Sequence, residues 1–134
     1  MDRDALNLPG KRGSSVRAFP VLPGKEEDIR RFAAEMAGPR RQEAEQFYKS
    51  FGIVRESWHY QETPHGPLVV GVTEIDEEPG AKAQQYAESS LPFDRWFKDQ
   101  VRNLTGIDPS VQPLGPPSEV LFDTQSETAD RYPT

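Results

Sequence analysis

The order of hydrophobic patterns along the chain predicts one α+β domain, with an antiparallel sheet covered on one face by helices. Two observations carry this prediction. Strand-like alternation and helix-like periodicity follow one another in the order β-α-β-β-α-β, and the two central strand patterns are joined by a short turn. The 134 residues are enough for a single hydrophobic core but not for two.

The first half of the predicted domain is a strand followed by a helical region. The segment SSVRAFPVL favours a strand, and the turn sequence PGK ends it. A helical stripe follows at Ile29, Phe32, Ala33 and Met36, and it resumes at Ala44, Phe47, Tyr48 and Phe51. Pro39 lies between the two stretches and donates no backbone hydrogen bond. The pattern predicts either one kinked helix or two coaxial helices.

The second half begins with a hairpin and continues with an interrupted helix and a last strand. IVRESWHYQ and LVVGVTEI are typical of strands and flank the turn sequence ETPHGP. A helical pattern at Ala83, Tyr86, Ala87 and Ser90 breaks at Leu91-Pro92 and then runs from Phe93 to Gly106. A proline-rich loop leads to EVLFD, a predicted final strand. The prediction is a ferredoxin-like βαββαβ domain, with a four-stranded antiparallel sheet and its helices on one face.

Composition and charge indicate which partners and which cellular location to expect for the protein. Residues 1–13 and 125–134 are polar and predict a flexible arm and a flexible tail around a domain spanning 14–124. The net charge of -6 disfavours binding to nucleic acid or to an anionic membrane surface. Cysteine is absent and the N-terminal sequence lacks the apolar segment of a secretory signal. These features predict a cytoplasmic protein.

The elements and several short sequences resemble the dimeric α/β-barrel superfamily, whose best-known branch is the antibiotic-biosynthesis-monooxygenase-like family. The resemblance rests on the first strand ending VLPGK, the hairpin strand ending VTEID and the centrally broken helix. The segment FDRWFKDQVRNLTGID is similar to a group of small uncharacterised bacterial proteins in that superfamily. The resemblance covers roughly residues 15 to 124.

The resemblance implies a homodimer in which two sheets pack face to face and enclose pockets. Members of the superfamily include cofactor-free oxygenases, haem-degrading enzymes and isomerases. Neither predicted helical region contains a histidine, so the helix-borne haem ligand of the haem-degrading members has no counterpart here. No cofactor is expected. With two histidines and no cysteine, the chain offers no recognisable metal-binding motif either.

The candidate site residues lie on the strand that begins at Ile53. Strict alternation would place Ile53, Arg55, Ser57 and His59 on one face and Val54, Glu56, Trp58 and Tyr60 on the other. His59 is the candidate catalytic base because its ordinary pKa lies near neutrality. Arg55 and Ser57 would then bind a ligand beside it, on the face turned toward the dimer partner.

The second face of this strand and the helix break supply the other candidates. Trp58 is expected in the core, and Trp58 and Tyr60 are candidate ligand-binding residues that shape a pocket. A register slip of one residue would exchange the two faces and move the site to Glu56, Trp58 and Tyr60. Trp96 follows the break at Leu91-Pro92 and would line an opening there.

Three functions fit these expectations. The first is a small-molecule-binding homodimer whose ligand is a partly aromatic organic compound. The second is a cofactor-free monooxygenase or related enzyme, in which His59 removes a proton from the substrate and Arg55 stabilises the oxyanion. The third is a non-catalytic interaction protein whose sheet face forms an oligomer. Fold alone does not choose among them.

Overall fold

The computed structural model describes residues 13–76, 85–86 and 88–125, and in this part of the chain the fold is α+β. Six complete elements follow one another in chain order: β1 Gly13–Pro20, α1 Glu26–Ala37, α2 Arg41–Ser50, β2 Ile53–Thr63, β3 Gly66–Ile75 and α3 Pro92–Thr105. The strands form a three-stranded antiparallel sheet in the order β1-β3-β2. None of the described helices is long and apolar enough to cross a membrane.

The helical region after β1 consists of two helices rather than one kinked helix. Helix α1 ends at Ala37, directly before Gly38 and Pro39, and α2 begins at Arg41. The apolar stripe predicted from the sequence is the buried stripe, since Ile29, Phe32, Ala44 and Phe47 are all in the core. The break at Pro39 therefore divides the helix without shifting its buried face.

Helix α3 has the ends that its sequence predicts. Pro92 lies in its first turn, where a missing N–H group leaves no hydrogen bond unmade. Gly106 ends the helix with a φ of 80°, a left-handed conformation that glycine adopts without strain. Most of the helical pattern predicted between Ala83 and Ser90, the arm and the tail lie outside the described residues.

One face of the sheet forms the core with the helices. Phe19 of β1 pairs with Val69 of β3, and both side chains are almost fully buried. Phe97 and Val101 of α3 lie in the same buried cluster, as do residues of α1 and α2. Leu68, Val70 and Val72 of the central strand alternate onto the opposite face, hereafter the open face.

The predicted fourth strand is wrong. Residues 119–123 are not part of the sheet, and Val120, Leu121 and Phe122 are exposed. Residues 109–118, hereafter the strap, follow α3, and their last part, residues 115–118, meets the outer edge of β1 instead. Their only bridge to it joins Arg17 and Pro117. Pro116 and Pro117 donate no backbone hydrogen bond, so the strap cannot form a regular ladder.

The alternation predicted for β2 is wrong at its beginning. A β-bulge lies between Ile53 and Arg55, because Ile53 pairs with Ile75 while Arg55 pairs with Glu74. The extra residue, Val54, is about half exposed, and Ile53 packs against the core. A bulge inserts one residue into a strand and resets its alternation. From Arg55 onward the predicted faces are as the structure has them.

Candidate ligand-binding cavity

The covered face of the sheet changes character along its length. Toward the start of α1 it carries Phe19, Val69 and Trp58, whose rings and methyl groups fill the core. Toward the start of β1 the same face carries polar side chains. There Ser15 and Glu56 flank Thr73 from the two neighbouring strands. The apolar end of this face packs against the helices, and its polar end lies beside a cavity.

This cavity has a volume of about 670 Å³ and is bounded by the sheet, α2, α3 and the strap. Its volume lies in the usual range for a small-molecule site. Most of its wall is aromatic or aliphatic, with a small number of polar groups among these side chains. The aromatic members are Phe19, Phe47, Tyr48, Phe51, Trp58, Tyr86 and Phe97.

Glu56 is the polar centre of the wall. One of its carboxylate oxygens accepts a hydrogen bond of 2.6 Å from the Thr73 hydroxyl, and the other accepts one of 2.8 Å from the Trp58 indole. Burial raises the pKa of Glu56, and the two hydrogen bonds and the charge of Arg17 oppose that change. Gly71 lies beside this arrangement, and a Cβ atom there would be at an ordinary contact distance of 3.6 Å from both Glu56 and Trp58.

Two tyrosines complete the polar part of the cavity. The Tyr48 hydroxyl is buried and has no hydrogen-bond partner among the described residues. Burial raises the pKa of Tyr48 well above its usual value, and burial likewise raises that of Tyr86. Both phenols therefore remain protonated at neutral pH. Buried hydroxyl groups are normally hydrogen-bonded, so an unpaired hydroxyl at a cavity wall is a candidate donor to a ligand.

Arg17 connects the cavity to the strap. It lies on the covered face of β1, and its Nη1 atom donates a hydrogen bond of 2.7 Å to the carbonyl oxygen of Gly115. The strap comes so close to β1 that a Cβ atom at Gly115 would lie 2.6 Å from the Ala18 carbonyl oxygen. Gly115 also has a φ of 82°. Only glycine fits both conditions without strain.

A larger depression, of about 1200 Å³, lies between the first two helices and the start of β2. It shares Tyr48, Glu56 and Trp58 with the cavity, but α2 borders it with the exposed side chains of Arg41 and Glu45. These two side chains pair with each other at 3.0 Å. The smaller cavity is the better candidate because its wall is mainly apolar, with convergent polar groups.

The structure brings only one of the predicted site residues into the cavity. Trp58 lines it and also packs edge-on against Phe19, with ring centroids 5.2 Å apart. Arg55, Ser57 and His59 lie on the open face instead. There the Ser57 hydroxyl and His59 Nε2 are 3.1 Å apart. The role of His59 as a base stays a prediction.

Arg55 is about 71% exposed and lies 3.6 Å from Glu74 across the strand pair. Such a pair contributes little to stability at a solvated surface. Arg55 borders the larger depression, and its predicted role as a ligand-binding residue beside His59 stays a prediction.

Tyr60 and Trp96, two further candidate ligand-binding residues, lie away from the cavity and contact other side chains. The Tyr60 hydroxyl donates to Glu62 at 2.7 Å, and the Arg30 guanidinium lies over the ring. The Trp96 ring packs against Phe32 and lies 4.1 Å below the Arg40 guanidinium. Neither residue lines the cavity. Both are held by neighbouring side chains, and a ligand-binding role for them stays a prediction.

Sequence reasoning missed Arg17 and Tyr48 as site residues, and it placed Glu56 at the site only if the register slipped by one residue. The sequences of β1 and β2 each contained an indication of the site. Arg17 and Glu56 occupy inward positions next to Phe19 and Trp58, where alternation calls for apolar side chains. Charged residues at inward positions indicate either a buried pair or a polar site. Tyr48 gave no separate signal because it continues an ordinary apolar helix stripe.

The groups that line the cavity determine which interactions it offers to a ligand. Among the described residues no group of three or more histidine, cysteine, aspartate or glutamate side chains is placed to hold a metal. The aromatic wall can stack on a ring, and the polar end can hydrogen-bond to one functional group. The sequence matches no protein-family model and has no counterpart among curated proteins.

Proposed function

We propose that this protein binds a small, partly aromatic organic compound in the cavity between the sheet and the helices. The observation that carries the proposal is the partly buried polar group around Glu56, which faces a cavity with an otherwise largely aromatic wall. A wall used only for packing would be filled with side chains, because protein interiors contain few voids larger than a water molecule. Polar groups in such a wall give a ligand a fixed orientation.

We also propose that the domain is ferredoxin-like, with the strap in the place of the missing edge strand, and that it forms a homodimer of the dimeric α/β-barrel type through its open face. That face carries Leu68, Val70 and Val72 on the central strand and Val16 on β1. An apolar strip at the middle of a sheet gains free energy when it is removed from water. The resemblance of the element order to that superfamily supports the same arrangement.

Ligand binding is tested by calorimetric titration with naphthalene derivatives, followed by a variant that fills the cavity. Ser15→Phe places a ring at the polar end of the cavity and is expected to abolish binding. His65→Phe is the matched control, because it introduces the same ring at an exposed position of the turn between β2 and β3, outside the cavity. The proposal fails if no naphthalene derivative binds, or if Ser15→Phe and His65→Phe bind equally well.

The dimer is tested by light scattering. Twice the chain mass of 15.1 kDa is expected for the wild-type protein, and a single chain mass for Val70→Lys. Lysine at this position places a charge in the middle of the proposed interface. A monomeric wild-type protein at micromolar concentration would contradict the dimer but would leave the ligand-binding proposal standing, since the cavity is formed within one chain.

A further inference from the structure

The polar end of the cavity carries the Arg17 guanidinium and the Tyr48 hydroxyl, which has no hydrogen-bond partner among the described residues, and these two donors indicate the chemistry of the ligand. We propose that the ligand is an aromatic carboxylate whose ring lies among the aromatic side chains and whose carboxylate binds Arg17 and the Tyr48 hydroxyl. This inference rests on the proposed function and specifies its substrate class. It starts from three side chains, each carried by a different element.

Arg17 supplies the positive charge. Its bond to the Gly115 carbonyl uses one of five N–H groups and fixes the guanidinium between the strap and the sheet. It forms no ion pair with a carboxylate of the described residues. Opposite it on β3 stands Gly71, which has no side chain to compete for the guanidinium. An arginine held in place and facing a cavity is suited to bidentate binding of a carboxylate.

Tyr48 supplies a second donor. Its hydroxyl is buried at the cavity wall and lacks a partner among the described residues. Since burial raises the pKa of this phenol, it remains protonated. A hydrogen bond from its hydroxyl to an acceptor on the ligand would therefore be stabilising. A buried donor without a partner costs free energy in the empty protein, and a ligand acceptor would recover that cost.

Glu56 does not accept from the Tyr48 hydroxyl, which has no partner among the described residues; its two oxygens accept from Thr73 and Trp58 instead. The titratable groups that face it are Arg17 from β1, Tyr48 from α2, and Tyr86. Burial already raises the pKa of Glu56, and a second carboxylate nearby would raise it further. Binding of an anion is therefore coupled to proton uptake by Glu56, and the affinity falls as the pH rises.

The first experiment compares three ligands of one shape by calorimetry: 2-naphthoate, 2-naphthamide and 2-naphthylmethylamine. Near pH 5.5 the wild-type protein should bind the naphthoate roughly 10- to 100-fold more tightly than the amine, as for a hydrogen bond to a charged group. The preference should shrink toward pH 7.5, by up to about tenfold per pH unit. The amine binding as tightly as the naphthoate would overturn the inference while leaving the proposed function intact. Failure of all three to bind would overturn both.

Variants then assign the donors. Arg17→Met keeps an unbranched apolar stem and should abolish the preference for the naphthoate, whereas Arg31→Met, at an exposed position of α1 outside the cavity, should leave it unchanged. Tyr48→Phe should weaken naphthoate binding roughly 5- to 15-fold without lowering the melting temperature, because it removes an unpaired donor. A clear fall in the melting temperature of Tyr48→Phe would show that the hydroxyl has a structural partner, and this would overturn its assignment as a ligand donor.

Discussion

The two ends of the covered sheet face use the same strands in opposite ways. At one end the Trp58 ring packs against the rings of Phe19 and Phe97, and these side chains belong to the apolar core. At the other end Glu56 and Thr73 form hydrogen bonds beside a cavity of about 670 Å³. The first end stabilises the fold by burying apolar surface. The second leaves both space and hydrogen-bonding capacity, which are what a binding site requires.

Trp58 lies at the junction of the two ends, so its removal is expected to have the largest effect. Trp58→Ala takes an indole away from Phe19, Phe32 and Phe97 and leaves Glu56 without its Nε1 donor. A loss of about 3–5 kcal/mol in the free energy of unfolding is expected, as for large aromatic truncations in cores. Urea denaturation followed by circular dichroism measures it. A loss below about 1 kcal/mol would show that the ring serves the cavity and not the core.

The strap is expected to bring the next largest effect. Gly115→Ala places a Cβ atom against the Ala18 carbonyl oxygen at a position with a φ of 82°. Gly24→Ala is the matched control, because Gly24 has a φ of 83° and open space around it. The control should cost about 1 kcal/mol, and Gly115→Ala should cost at least about 1 kcal/mol more. Equal losses in denaturant titrations would mean that the strap is free to move away from β1.

The titration of Glu56 at the polar end should make the free energy of unfolding depend on pH. The folded-state pKa of Glu56 is raised above the ordinary value of 4.5, so the folded protein holds this proton more tightly than the unfolded chain. Stability attributable to Glu56 is therefore greatest in acid and declines as the pH rises from about 4.5 through the folded-state pKa. Glu56→Gln removes this decline. The free-energy difference between the variant and the wild-type protein should thus change with pH in favour of the variant.

Chemical denaturation at a series of pH values between about 4.5 and 8 measures that difference. Thr73→Val is a useful comparison, because it removes a hydrogen bond to Glu56 but leaves the carboxyl group to titrate. The decline should persist in Thr73→Val and disappear in Glu56→Gln. A difference that does not vary with pH would contradict the burial of Glu56 as the dominant cause of its raised pKa.

The smallest effect is expected on the open face. His59 is exposed, and its only described side-chain contact is with Ser57. His59→Ala should change the free energy of unfolding by less than about 0.5 kcal/mol. The same variant also bears on the predicted catalytic role of His59. Loss of a measured activity with an unchanged melt would support that role, and a large loss of stability would contradict the exposed position.

Much of the fold followed from periodicity, because packing against one layer imposes it on each element. The stripe through Ile29, Phe32 and Phe47 and the alternation of β3 each needed only local spacing. The bulge at Val54 and the absent fourth strand could not be predicted in that way. EVLFD has the composition of a strand, but whether it pairs depends on how the strap before it, with Pro116 and Pro117, meets the edge of β1.

The site was harder to predict than the fold. Trp58 was found because large aromatic residues on strands are conspicuous. Arg17 and Glu56 lie 39 positions apart in the sequence, and only the pairing of both strands with β3 places them on the same covered face. His59 was singled out for its chemistry alone, and chemistry does not determine which face of a strand a residue occupies.

The strap also gives the sheet two unlike edges. At the β1 edge Pro116 and Pro117 present no N–H groups to an incoming strand, and Gly115 is already in close contact with Ala18. At the β2 edge no strand of the described residues is paired, so backbone donors and acceptors face outward. Extended growth of a sheet by strand addition needs two receptive edges on every copy. With one edge blocked, addition through β2 would close after two copies, so the strap limits growth of the sheet by strand addition.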